Sequence, residues 1–183
     1  MENNSNKGLP AHDVTASQGQ FLYLMSKINK TQRILEIRTL GGYSTYWFAK
    51  SLSEDGHILS LEYNQLNAEV VAANLELAGV TEKTEIRVGL AADTLADLIE
   101  ENVDSFDLIF IDADKENNSV YLKLALKLSH SGTVIIGDNI VRDGEIINEE
   151  SIDTSVKGSQ SFIDDLSRLE NITSTAIDIV GFK

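Results

Sequence analysis

Two stretches carry most of the side chains that could do chemistry. "FIDADKENN" places Asp112, Asp114 and Lys115 at the end of an apolar run, and "GDNIVRDG" places Asp138 and Asn139 in the same position after another. If the two runs are neighbouring strands, Asp112, Asp138 and Asn139 converge on one point. Three hard oxygen donors with open positions suit Mg²⁺ or Ca²⁺, which keep waters or take a substrate's oxygens as further ligands. The other reading is a set of unrelated polar loop residues; the parallel placement favours the metal. A lysine beside carboxylates is also what a surface ion pair looks like, and such a pair is worth little.

A second group of candidates lies earlier. "ILEIRTLGGYST" runs from an apolar strand through Glu36 into a glycine pair. Gly41 and Gly42 let the backbone come close to a ligand. Ser44 is placed to cap the following helix, whose N-terminus favours an anion. A tight turn with an ordinary cap explains these residues as well. "HILSLE" ends in Glu62, where a carboxylate can accept both ribose hydroxyls of an adenosine-type cofactor. A solvated surface Glu is the plainer reading, and the glycine turn favours the ligand. In "VGLAADTL", Gly89, Ala91 and Ala92 are small enough to leave room for a flat ring. A simple strand-to-helix loop with Asp93 in the first helical turn fits that stretch too.

These residues need a scaffold that brings strand ends together. "RILEI", "HILSLE", "TEIRV", "FDLIFI", "GTVIIG" and "TSTAIDIV" read as strands. Helical patterns lie between them, at about 45–53, 65–78, 92–101, 117–129 and 158–168. Leu66, Val70, Leu75 and Leu77 give the second of these an apolar side, and Gly79 suits its C-terminus. Upstream, "TASQGQFLYLMSKIN" puts Phe21, Leu22, Met25 and Ile28 on one helical face, with Thr15 and Gln18 spaced as a capping box. Short apolar runs alternating with helices predict an α/β fold with a mostly parallel sheet covered on both faces. Ligands of such sheets bind beyond the carboxyl ends of the strands, where the candidates stand.

The 183 residues suggest one domain, 14–183, after a flexible polar lead-in over 1–13. With 42% hydrophobic and 24% charged residues the composition is that of a soluble globular protein. The net charge of −14 disfavours a nucleic-acid partner. Without cysteine there is no disulfide, thiolate zinc site or Cys nucleophile. "MENNSNKGLPAHDV" has no signal-peptide core and no apolar run reaches membrane-spanning length. A cytoplasmic enzyme or binding protein without a membrane partner is the simplest expectation.

Taken in order, "EIRTLGGYST", "SLE", "IDADKENN" and "GDNIVRDG" resemble the cation-dependent class I O-methyltransferases. These are the caffeoyl-CoA and catechol O-methyltransferase-like enzymes, and the likeness to their small bacterial members runs from about Leu9 to Gly181. "FIDADK" with "GDNIVRDG" is specific, whereas the glycine turn is not. The resemblance implies a Rossmann-like three-layer sandwich with strand order 3-2-1-4-5-7-6, a homodimer, and S-adenosylmethionine as cofactor. By matching motifs, Glu36, Gly42 and Ser44 lie at the methionine end of the cofactor, Glu62 on the ribose, and Gly89 and Ala91 by the adenine. Asp112, Asp138 and Asn139 hold a divalent cation (Mg²⁺, Ca²⁺ or Mn²⁺), Asp112 also lies near the cofactor, and Lys115 matches the general base of the catechol enzymes. The implied reaction is methyl transfer to a hydroxyl of a small catechol-like aromatic. A cation gripping two adjacent hydroxyls favours the phenolate and orients it. Lys115 would take the proton, or else orient the substrate or pair with Asp114.

The chain departs from the family in two ways. Arg38 replaces the glycine of "EIGTLGGYS"; if φ is positive there, it costs about 1–3 kcal/mol, unless the side chain turns to the surface or pairs with Glu36 or Glu62. The family also carries further helical sequence at the start and a loop and last strand after "VG", so the domain is expected to be shortened at both ends and to lack that strand. These departures support an alternative reading, a binding protein of the same fold with an impaired cofactor site. A Rossmann oxidoreductase is a weaker alternative, because "LGGYS" lacks the G-x-G-x-x-G spacing.

Overall fold

A computed structural model describes residues 14–179. The lead-in 1–13 lies outside them. Helix α1 (Ala16–Ile28) starts as its capping box predicts: Thr15 Oγ1 accepts from Gln18 N, and Gln18 Oε1 accepts from Thr15 N. There follow β1 (Arg33–Ile37), α2 (Tyr43–Ser51), β2 (His57–Glu62), α3 (Gln65–Leu77), β3 (Thr84–Val88), α4 (Ala91–Glu100), β4 (Phe106–Ile111), α5 (Asn118–Lys127), β5 (Ser129–Gly137) and α6 (Thr154–Ser167). The elements sit where the patterns put them, with β5 and α6 starting earlier than expected.

The strands form one parallel five-stranded sheet in the order β3-β2-β1-β4-β5. Side-chain alternation splits the strand residues between two faces. Leu35, Ile37, Leu59, Leu61, Ile109 and Ile111 pack with residues of α4, α5 and α6 such as Leu95, Leu122 and Phe162. Ile34, Ile58, Leu108 and Phe110 pack on the other side with Leu22 of α1 and with Phe48, Ala49 and Leu52 in and just after α2. The three layers and the β-strand order agree with the Rossmann-like expectation as far as β5. The chain runs outward from β1 in both directions, so β1 and β4 flank the switch point where ligands bind in such sheets.

Three expectations need correction. "TSTAIDIV" is not a strand: its described part, 173–179, is irregular and mostly exposed. A strand needs a ladder, and among the described residues β5 is an edge strand that pairs with β4 alone. Ile28 is 75% exposed, because the inward stripe of α1 is Gly19, Leu22 and Ser26. Gly19 is there for contact, since a Cβ would come within 2.2 Å of Trp47. Leu66 and Leu77 are also exposed; α3 buries Ala68, Val70, Val71 and Leu75 instead. Gly79 does end that helix, at φ +69.

Helix α6 braces the loop after β4. A Cβ on Gly158 would stand 2.1 Å from the carbonyl oxygen of Lys115 and 2.7 Å from Cα of Glu116. Both neighbours are backbone and cannot rotate aside. Gly158→Ala gains about 1 kcal/mol of helix propensity but meets an overpacking cost of about 1–3 kcal/mol. We expect a lower melting temperature by thermal unfolding; an unchanged or raised one would show that α6 does not hold this loop.

Candidate active site

Each loop of the site begins by prolonging a parallel ladder. Arg38 N donates to Leu61 O (3.0 Å), Gly89 N to Glu62 O (2.9 Å), Asp112 N to Ile37 O (3.2 Å) and Asp138 N to Ile111 O (3.0 Å). Ile111 and Gly137 are register partners, so Asp112 and Asp138 follow on adjacent strands, whose spacing is about 4.8 Å. The structure thus brings these two residues side by side at adjacent strand ends. Asn139 comes next at φ 55, a left-handed conformation that Asn tolerates better than most residues.

Lys115 is only 7% exposed and its Nζ donates to Asp112 Oδ1 at 3.0 Å. The pairing with Asp114, left open from the sequence, does not form. Asp114 instead accepts from Tyr121 Oη at 2.7 Å and from Asn117 Nδ2. A surface ion pair is likewise ruled out, since Lys115 is buried. Asp138 Oδ1 accepts from Gln18 Nε2 at 3.1 Å. In the sequence Gln18 has only the spacing of a helix cap, and no local spacing connects it to a carboxylate 120 residues away.

Glu36 points into the interior and is fully buried. Ser44 Oγ and Thr45 Oγ1 donate to its two oxygens at 2.5 Å each, and Ser60 Oγ adds a third bond at 2.7 Å. Ser44 is therefore not a helix cap. The N-cap is Gly42, at φ 83 and without a side-chain bond, and the Ser44 hydroxyl turns inward to a carboxylate that has lost its water. Burial pushes the Glu36 carboxyl up to about 7; its three hydroxyl partners oppose the shift and the Asp112 charge adds to it.

The turn after β1 holds Arg38 at φ 75, Leu40 at φ 51 and Gly42 at φ 83. Leu40 N donates to Glu62 Oε2 (3.0 Å), Asn74 Nδ2 to Gly41 O (2.9 Å) and Gly42 N to Thr39 O (2.9 Å). Glu62 is buried, not a solvated surface residue, and its Oε1 accepts from Asn64 N and Asn67 Nδ2. Half-buried Arg38 pairs with neither Glu36 nor Glu62 among the described residues. Gly89 lies beside Glu62 through their backbone bond, and Ala91 opens α4. The carboxyl ends of the strands thus form one row: Glu62 and Gly89 on one side of the glycine turn, Asp112 and Asp138 on the other.

The Glu36 shift fixes a pH dependence. Its folded value, about 7, lies above the ordinary 4.5, so the folded state binds the proton more tightly and the stabilisation is full below pH 4.5 and is lost as pH rises through 7. The loss amounts to roughly 3 kcal/mol. Urea unfolding at pH 5 and pH 8 should show this fall for the wild type and a flatter profile for Glu36→Gln. Matching profiles would mean that Glu36 titrates at its ordinary value.

A family model described as O-methyltransferase matches residues 1–180. The chain is 41% identical over 176 residues to the catechol O-methyltransferase of Niastella koreensis, a match covering 96% of this chain and 80% of that protein. Among solved structures it resembles the O-methyltransferase from Bacillus cereus in complex with SAH, at 46% identity and TM-score 0.96 over 98% of this chain and 82% of that one. It also resembles the O-methyltransferase TomG from Streptomyces achromogenes in complex with SAM, at 36% identity and TM-score 0.92, covering 99% and 84%. A sheet of this order, a glycine turn beside a buried acidic strand end, and matches along nearly the whole chain agree: the protein belongs to the O-methyltransferase family, SAM-dependent enzymes that methylate hydroxyl groups.

Proposed function

We propose that this chain methylates a hydroxyl of a small, catechol-like aromatic with the help of a divalent cation held by Asp112, Asp138 and Asn139. The observation that carries the reading is the pair of carboxylates on adjacent strand ends, one of them held by a buried lysine. Among the described residues no three His, Cys, Asp or Glu side chains are grouped to hold a metal ion; the donors in this reading are two carboxylates and the Asn139 amide. That set fits a hard cation such as Mg²⁺, Ca²⁺ or Mn²⁺, with positions left for water and substrate. The catechol O-methyltransferase among its relatives supports the substrate class. The net charge of −14 fits a small molecule better than a nucleic acid. A cytoplasmic homodimer without a membrane partner belongs to the same reading; among the described residues no helix is long and apolar enough to cross a membrane.

In this reading Glu36, Gly42 and Ser44 stand at the methionine end of the cofactor, Glu62 at the ribose, and Gly89 and Ala91 at the adenine, with Asp112 between cofactor and cation. Glu62 Oε2 holds Leu40 N, and a carboxylate oxygen has capacity for a second donor, here a ribose hydroxyl. S-adenosylmethionine supplies a methyl group on a sulfonium, open to in-line attack by an oxygen. A bound cation favours ionisation of the attacking hydroxyl and fixes its direction. Lys115 has two tasks. Its Nζ holds Asp112 Oδ1, and in its neutral form the amine would take the proton that the substrate hydroxyl loses.

One observation favours a second reading, a protein of this fold with weakened cofactor binding: Arg38 holds φ 75 in the glycine turn, which the first reading puts at the cofactor's methionine end. Calorimetry with S-adenosylmethionine separates the two. If the turn is competent as it stands, wild type and Arg38→Gly bind alike. A gain of about tenfold or more in the variant, some 1.4 kcal/mol, would favour the impaired reading. For the cation, Asp138→Ala is expected to abolish Mg²⁺-dependent methylation of a catechol. Full EDTA-sensitive turnover by that variant would remove Asp138 from the cation site.

A further inference from the structure

We infer that Gln18 is a positioning residue for the Asp138 carboxylate and, through it, for the cation; this rests on the metal reading above. The Gln18 amide is held at both ends. Its Oε1 accepts Thr15 N at 2.8 Å, which fixes the carbonyl end, and its Nε2 therefore faces Asp138 Oδ1 at 3.1 Å. A helix cap needs only the acceptor, which Glu supplies as well as Gln. A Glu here would set two carboxylates against each other, whereas Gln closes the cap and still offers a donor. Lys115 does the same for Asp112, through Oδ1 at 3.0 Å. Asp112 is thus oriented by a residue three positions on in its own loop, and Asp138 by the first turn of α1, 120 residues away. Partners of this kind fix the rotamer of a metal ligand, and their loss weakens metal binding without removing a ligand.

The test reads Mn²⁺ binding to the full chain by electron paramagnetic resonance, with no cofactor or substrate present, alongside thermal unfolding. Gln18→Met keeps the bulk of the side chain but loses donor and acceptor. It should weaken Mn²⁺ binding by about tenfold to hundredfold. Thr15→Ala removes the hydroxyl that accepts Gln18 N at 3.2 Å and so damages the cap alone. It should lower the melting temperature while leaving Mn²⁺ affinity within about twofold. Wild-type affinity in Gln18→Met, or equal weakening in Thr15→Ala, would overturn the inference while leaving the metal site standing. If the wild type binds no Mn²⁺, the metal reading falls and this inference with it.

Discussion

The residue after each of four strands donates its backbone N–H to a neighbouring strand: Arg38 to β2, Gly89 to β2, Asp112 to β1 and Asp138 to β4. A parallel ladder has evenly spaced bonds, and one further bond at each end fixes where each loop leaves the sheet. The site depends on this. Asp112 and Asp138 are adjacent because Ile111 and Gly137 are in register. Glu62 and Gly89 are adjacent because Gly89 continues the β2–β3 pairing. Only after that do side chains contribute, with Lys115 and Gln18 aiming the carboxylates and Glu62 holding the turn.

Glu36 shows what a polar group costs in such a sheet. It shares a face with Ile34 and Phe110, where an apolar residue would be expected, and a carboxylate there has lost its water. Ser44, Thr45 and Ser60 offset part of that loss, and they tie α2 and β2 to β1 in doing so. The turn above them runs through three left-handed residues, of which only Gly42 is a glycine. The straps to Leu61, Glu62 and Asn74 hold that shape even with Arg38 in it. An unfavourable backbone conformation persists where its surroundings over-determine it.

Much of this was legible from sequence because it depends on local pattern. Strand runs such as "FDLIFI" and the Thr15–Gln18 spacing read correctly, and the carboxylates at strand ends follow from topology once the sheet is parallel. What escaped depends on direction and distance. Ser44 has the composition of a cap, yet its hydroxyl turns to Glu36, a preference set by burial that no spacing encodes. Ile28 and Leu77 lie at helical intervals from buried residues but face outward, because the faces that bury are set by Gly19 against Trp47 and by Val71 beside Gly42. "TSTAIDIV" has strand composition, but its described part, 173–179, pairs with no strand among the described residues, and β-propensity expresses itself only in a pairing. Gln18 meets Asp138 across the chain, beyond any local reading.

The strand order also bears on how the site comes into being. β1 and β2 are separated by one helix, and so are β2 and β3, so the half that holds Glu36, Glu62 and Gly89 closes through short loops. β4 must return to the far side of β1, after two strands and three α-helices of intervening chain, and the contact between Gln18 and Asp138 spans more chain still. Loop-closure entropy grows with the length enclosed, and non-local pairings slow folding. The two carboxylates therefore belong to the non-local part of the fold, and a nascent chain has β1, β2 and β3 available to pair before β4 and β5 exist.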